Sequence, residues 1–445
     1  MGLRSFSDKT SARTILQKMM LCFGAVLLVS WLVPTGQILE AKTVVTVWYP
    51  WQDFDGELLV ARTKEFNQLQ NEIEIKPVYV EGGGIPNGKL AIAVATGKAP
   101  DLVLYWGSEQ AGSLGAANVI QPIDRWLKEA GIDPSDYFPA AWRANMYQGK
   151  VYGIPEMLNV NLLFYNDRLF DEAGLDSTKP PSTIAEIDEV AYKLTQFGGD
   201  RKLTRMGWVP WSWQGHEFFW SWAFGANIYQ NGKLAVNSPQ VLAALRWQAN
   251  YMNRYGLANV ESFLSGDAEN GGNVDYFADG RLVMRIDGEW KIRFYLQETQ
   301  GKVSFAVAPA PTADPSRPRP AWVFGNTWYV PFGAKQPLAA LKFVAWFNQA
   351  ELSRDVADKV WNISPVIKAA QSQKLLSDRR FRVAIQQVGS PGAGTNFTSK
   401  YLARIQQEVH DAFWNGIHQK DTPENVLNKA QQVLEAFIAS QGGPD

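Results

Sequence analysis

The alternation of short strands and amphipathic helices that begins at Thr43 restricts this chain more than any other feature. Thr43 to Trp48 (TVVTVW) is rich in β-branched residues and predicts a buried strand. Asp55 to Gln70 predicts a helix with Leu59, Phe66 and Leu69 near one face, and Glu72 to Lys76 alternates with the period of two of a strand. Lys89 to Thr96 reads as a helix stopped by Gly97, Leu102 to Tyr105 as a strand, and Pro122 to Ala130 as a helix stopped by Gly131. Thr183 and Glu186 form a capping box ahead of Ile187, Val190, Ala191 and Leu194 at helical spacing. Ser238-Pro239 opens another helix, with Leu242, Leu245, Ala249 and Met252 on one stripe. Leu282, Met284 and Ile286 alternate as a strand, and so do Val303, Phe305 and Val307. Such an order predicts an α/β fold of parallel sheets with helices on both faces. One core rarely serves more than about 250–300 residues, so a chain of 445 predicts two lobes, with the proline-rich stretch 308–320 as a crossover.

The amino terminus reads as an export signal. Arg4, Lys9, Arg13 and Lys18 form a basic start, Met19 to Val33 is almost wholly apolar, and Leu39-Glu40-Ala41 suits cleavage after Ala41. An uncleaved anchor is the alternative. The apolar run is shorter than the roughly 20 residues a membrane helix needs. Cys22, the only cysteine, lies in this run after Leu21 rather than a small residue, which argues against lipidation. The mature chain then has no cysteine for a disulfide or a thiolate metal site. A formal net charge of −1 without a dense basic run argues against nucleic acid.

Several motifs approach catalytic patterns and fail on a specific atom. Gly83-Gly84-Ile85-Pro86-Asn87-Gly88-Lys89-Leu90 nearly spells a phosphate loop, but Leu90 has no hydroxyl for magnesium and Pro86 removes a backbone donor. It reads instead as a flexible loop approaching a ligand or the other lobe. His216-Glu217 has no second histidine at helical spacing, and His410 and His418 are expected in solvent on a polar helix. Neither a metal nor a cofactor is expected. Asp287 and Glu289, flanking Gly288, could be a glycosidase pair or a polar turn.

Seventeen of the 18 tryptophans follow Ala41, and five fall between Trp208 and Trp222. Trp126, Trp142, Trp247, Trp346 and Trp414 lie in helical stretches and are expected to pack in or on the core. Trp51, Trp106, Trp211, Trp213 and Trp290 follow strands or sit among turn residues, where open α/β sheets bind ligands. Indole faces stack on the C–H faces of sugar rings, so these five suggest a carbohydrate pocket.

Several segments together resemble the extracellular solute-binding proteins of ATP-binding-cassette importers, in the sugar-binding group with maltose- and trehalose-binding proteins. The segments are Val44 to Trp48, Gly97-Lys98-Ala99-Pro100-Asp101-Leu102-Val103, Gly149 to Pro155, Leu163-Phe164-Tyr165-Asn166 with Ala173-Gly174-Leu175, and Phe277-Ala278-Asp279-Gly280 to Trp290, in family order. The resemblance implies a periplasmic or extracellular, usually monomeric protein with two α/β lobes that close on a sugar-like solute and dock on a membrane permease. It implies lobe 1 over 42–155, lobe 2 over 156–309, a return to lobe 1 over 310–345, and carboxy-terminal helices of lobe 2 over 346–445. The ligand contacts it implies are Trp51 and Asp53 after the first strand, Glu81 after the second, and Trp106 and Glu109 after the third. Glu156 and Asn159 follow the lobe crossing, Trp211, Trp213 and Gln214 form a loop, Trp290 stacks a ring, and Gly325, Asn326 and Thr327 complete the set. Met157 and Asn159 depart from the family's usual aromatic and acid, which suggests a ligand smaller or less polar than a long sugar.

The function expected is therefore capture of a disaccharide, oligosaccharide or glycosylated polyol without turnover. A secreted glycosidase using the same aromatic cleft, and a binding protein that feeds a sensor, are the alternatives.

Overall fold

The computed structural model describes residues 41–445 apart from 212–213, 231 and 301. The export signal with Cys22, and Trp213, lie outside the described residues.

Strand β1 (Thr43–Tyr49) buries Val45 and Val47 completely, as its β-branched run requires. Helix α1 (Phe54–Leu69) follows, capped by the Asp53 carboxylate, which accepts from the Asp55 N–H at 3.1 Å. Leu59 and Phe66 are buried, but Leu69 is 64% exposed, because the helix ends there and Gln70 turns its amide to the backbone of Ile73. Strand β2 (Ile73–Tyr79) and strand β3 (Leu102–Tyr105) flank β1. The glycine-rich segment between β2 and β3 is not a flexible loop. Gly82, Gly83 and Gly84 are buried with φ of +58°, +61° and +76°, and a Cβ on Gly83 would lie 2.6 Å from the Leu104 carbonyl oxygen. Only glycine combines this backbone with that approach.

Strand β4 (Gly153–Tyr165) is buried at all 13 positions. Strands β5 (Leu203–Trp208), β6 (Leu282–Gly288), β7 (Ala306–Pro309) and β8 (Ala321–Tyr329) join the same ten-stranded sheet, whose longer strands run in the order β2-β1-β3-β8-β4-β6-β5, with β7 also paired to β4. The expected parallel sheet is therefore mixed. β1 runs parallel to β3 and β6 parallel to β5, but β8 is antiparallel to both β3 and β4, and β4 is antiparallel to β6. The cause is β4 itself. Residues 153–160 pair with β8, whereas Asn161–Tyr165 pair with β6, so one strand serves both lobes. The change of partner falls between Val160 and Asn161 rather than at Pro155.

Helix α2 (Ile184–Leu194) has the capping box of Thr183 and Glu186 that the sequence spelled. Helix α3 (Glu217–Ala223) and helix α4 (Pro239–Tyr255) pack aromatic against aromatic, with Trp220 and Trp247 at 4.7 Å. In β6 the expected alternation is absent because both faces are covered. Arg285 and Asp287 are buried beside Met284 and Ile286, and pair with each other at 2.8 Å. Val303 and Phe305 are buried but precede β7, which starts only at Ala306. Helix α5 (Pro337–Phe347) lies on the first lobe, where Phe343 and Trp346 meet Phe66 of α1 at 5.3 and 5.1 Å. The expected lobe change at 345/346 thus falls inside a helix. Helices α6 (Leu402–Ile417) and α7 (Pro423–Ser440) close the chain as a packed hairpin.

Candidate functional site

The site is built at the ends of strands. Trp51 and Trp106 follow β1 and β3, which are neighbours in the sheet, and their rings lie 6.5 Å apart at 39°. Trp106 is 42% exposed and Trp51 half-buried, so the pair forms an open aromatic wall. Trp290, just beyond β6, meets Phe324 of β8 edge to face at 5.8 Å.

Below this wall lies a set of buried acids and amides. Glu156 of β4 accepts from Asn326 Nδ2 of β8 at 3.0 Å, and burial pushes its carboxyl up to about 7. Trp51, Asp55, Glu156, Asn326 and Asn362 line one small cavity. Burial raises Asp55 to about 6, against the opposing charge of Arg293, whose Nη1 lies 3.4 Å from it. Asn159 Nδ2 donates to Glu289 Oε1 at 2.8 Å and to Asn362 Oδ1 at 3.3 Å. Glu289 is fully buried and is pushed up to about 8, chiefly by that burial.

A second cavity of about 480 Å³ brings Glu109 of the first lobe opposite Gln214, with Trp322, Phe324, Asn396 and His410 in its lining. Burial raises the Glu109 carboxyl. The Gln214 carbonyl accepts from Asn161 Nδ2 at 2.8 Å, which ties its loop to the crossing strand. Glu217 lies 3.7 Å from His410 and raises its pKa by hydrogen bonding.

The structure thus groups Trp51, Glu156 and Asn326, groups Glu109 with Gln214, and places Trp106 against Trp51. Trp211 is half-buried and lines a third cavity, and Trp290 stands on Phe324. Five expected contacts stand apart from these groups. Asp53 is an exposed helix cap, and Glu81 is exposed and lines none of these cavities. Asn159 is engaged by Glu289 and Asn362. Gly325 and Thr327 are buried, and a Cβ on Gly325 would lie 2.0 Å from the Met157 carbonyl oxygen. The register of β8 against β4 shifts between Asn326 and Thr327.

Asp55, Phe324, Asn362, Asn396 and His410 were not expected. Phe324 could have been found by alternation from Asn326, whereas Asp55 reads as an ordinary helix-start acid and Asn362 and Asn396 lie in irregular segments. His418 is not in solvent; its ring stacks on Trp414 at 3.6 Å and its side chain is 8% exposed. Asp287 is held by Arg285 and Glu289 by Val160 and Asn159, so both carboxylates flanking Gly288 are engaged within the protein.

Comparison with known proteins bears on the fold and the family. The sn-glycerol-3-phosphate-binding periplasmic protein of Agrobacterium fabrum is 29% identical over 249 residues, 51% of this chain and 56% of that protein. The match thus spans about half the length of such curated relatives. The maltooligosaccharide ABC transporter solute-binding lipoprotein of Streptococcus pneumoniae is 25% identical over 365 residues, 80% of each chain. The solved structure of CpMnBP1 with mannotriose bound superposes with a TM-score of 0.80 at 37% identity, covering 88% of this chain and 99% of that one. The fold is the two-lobed α/β fold of such proteins. The sequence profile of the bacterial extracellular solute-binding proteins matches residues 61–380, and the chain belongs to that family.

Proposed function

We propose that this protein captures a neutral oligosaccharide between its lobes and delivers it to the membrane permease of an ATP-binding-cassette importer, after export through its amino-terminal signal. The observation that carries this reading is the character of the lining. Glu109, Glu156 and Asp55 stand beside Trp51, Trp322 and Phe324, and among the described residues no Lys or Arg lines either cavity. Indole and phenyl faces suit sugar C–H faces, and acids and amides suit hydroxyls. The guanidinium of Arg293 is already paired with Asp55, so a phosphate would carry its charge toward an excess of carboxylates, at a Coulombic cost that grows with burial. That favours a sugar like those bound by CpMnBP1 over sn-glycerol 3-phosphate, the ligand named for several relatives. The structural use of Asp287 and Glu289 supports binding without turnover.

Calorimetry with mannobiose, mannotriose, maltotriose and sn-glycerol 3-phosphate, followed by chromatography of the recovered sugar, tests this. The expected result is saturable binding of at least one intact sugar and none of the phosphate. Binding of the phosphate alone, or cleavage of the sugar, would overturn it.

A further inference from the structure

The cavity that contains Trp211 lies wholly within the second lobe, has a volume of about 560 Å³, and falls within the usual range for a small-ligand pocket. It adjoins the 480 Å³ cavity, since His216, Glu217 and His410 line both. Its aromatic surface comes from Trp211, Phe413 and Trp414. Trp414 was expected to pack against a helix, yet it is 48% exposed, with its ring stacked on His418. An indole with one face on an imidazole leaves its other face as a platform for another ring.

The polar side of the cavity is equally specific. Gln248 of α4 is 1% exposed, and its Nε2 has no hydrogen-bond partner among the described residues although it borders the cavity. A buried amide donor without a partner is costly, and an acceptor oxygen on a ligand would satisfy it. Asp267, 2% exposed, offers a carboxylate acceptor nearby. No Lys or Arg lines the cavity among the described residues. The imidazoles of His216, His410 and His418 share the lining with the carboxylates of Glu217 and Asp267, so a phosphate or a sulfate meets no excess of positive charge, whereas a pyranose finds an aromatic face, a donor and an acceptor.

We infer that this cavity is a second sugar-binding compartment, which takes an outer ring of the same oligosaccharide whose inner rings lie between the lobes. The inference rests on the sugar reading above and deepens it. The natural ligand is then a chain of at least three rings rather than a disaccharide, and Trp414 and Gln248 set the preference for length.

The test is calorimetry of wild type, Trp414→Ala and Gln248→Leu with mannobiose, mannotriose, mannotetraose and mannopentaose, with the matching maltose series in parallel. Trp414 is half-exposed and Leu nearly matches Gln in volume, so both variants should fold, which circular dichroism checks. Wild type should gain affinity beyond the disaccharide. Each variant should lose about tenfold for the longer chains, as expected for one stacking contact or one buried hydrogen bond, and stay within about twofold for the disaccharide. Equal affinity for all lengths in wild type, or an equal change for short and long chains in the variants, would overturn the second compartment and leave the sugar reading standing. Failure of wild type to bind any sugar of either series would overturn both.

Discussion

Glu289 accepts the backbone N–H of Val160 at 2.7 Å, at the residue where β4 leaves the sheet of one lobe for that of the other. A strand that changes partners leaves backbone groups to be satisfied from outside the ladder. The same carboxylate holds Asn159 Nδ2, so one fully buried side chain braces the crossing. Glu289→Ala should lower stability by about 1–3 kcal/mol, the cost of stranding buried donors. Urea unfolding measures it; an unchanged midpoint would mean that the crossing is held by strand pairing alone.

The raised carboxyls give a defined pH dependence. Glu289 and Glu156 titrate at about 8 and 7 in the folded protein, against an ordinary value of 4.5 in the unfolded chain. Between those values the folded state binds more protons, so stability is greatest on the acid side and falls as pH rises toward 8. Thermal unfolding of wild type between pH 5 and 8.5 should show that fall, and Glu289→Gln, which cannot titrate, should flatten it. An identical slope in the variant would contradict the assignment.

Trp51 and Trp106 form the aromatic wall of the first lobe at 6.5 Å. Trp106→Ala should cost sugar affinity by about tenfold while leaving the unfolding temperature of the free protein nearly unchanged, because the ring is 42% exposed. Calorimetry and a thermal melt on the same sample separate the two effects. A large drop in melting temperature would assign Trp106 to packing.

Gly325 sits where a Cβ would come within 2.0 Å of the Met157 carbonyl oxygen across the β4–β8 pair. Gly325→Ala should force those strands apart and destabilise the protein by about 1–3 kcal/mol. Its effect should appear in unfolding first and in sugar affinity only through displacement of Phe324 and Asn326. A stable variant with lost affinity would restore Gly325 as a direct contact.

Much of the first lobe was legible because its signals are local. Thr43–Tyr49 is strand because it is β-branched and buried, and in the second lobe the Thr183–Glu186 box likewise starts its helix as spelled. The positions of Trp51, Trp106 and Trp290 just beyond strands were also legible, since turn residues and strand ends are local signals. Thr327 and Asn326 show the limit. They are neighbours in sequence, yet one is fully buried and the other lines a cavity, and the register of β8 against β4 shifts between them, which no sequence period announces.

The sequence by itself determined the α/β class, the two-lobed family and the aromatic character of the site, because periodicity and segment order are properties of the chain. Only the tertiary structure decided which acids line cavities. Asp53 became a helix cap, Glu289 a brace and Asp287 the partner of a buried Arg285, while Glu109 and Asp55 came to line cavities. It also turned Trp414, on an unremarkable helix, toward a cavity shared with Gln248. A carboxylate or an indole has the same chemistry in every sequence context. Its role follows from which donors, rings and solvent reach it, and those come from segments as far apart as residues 160 and 289.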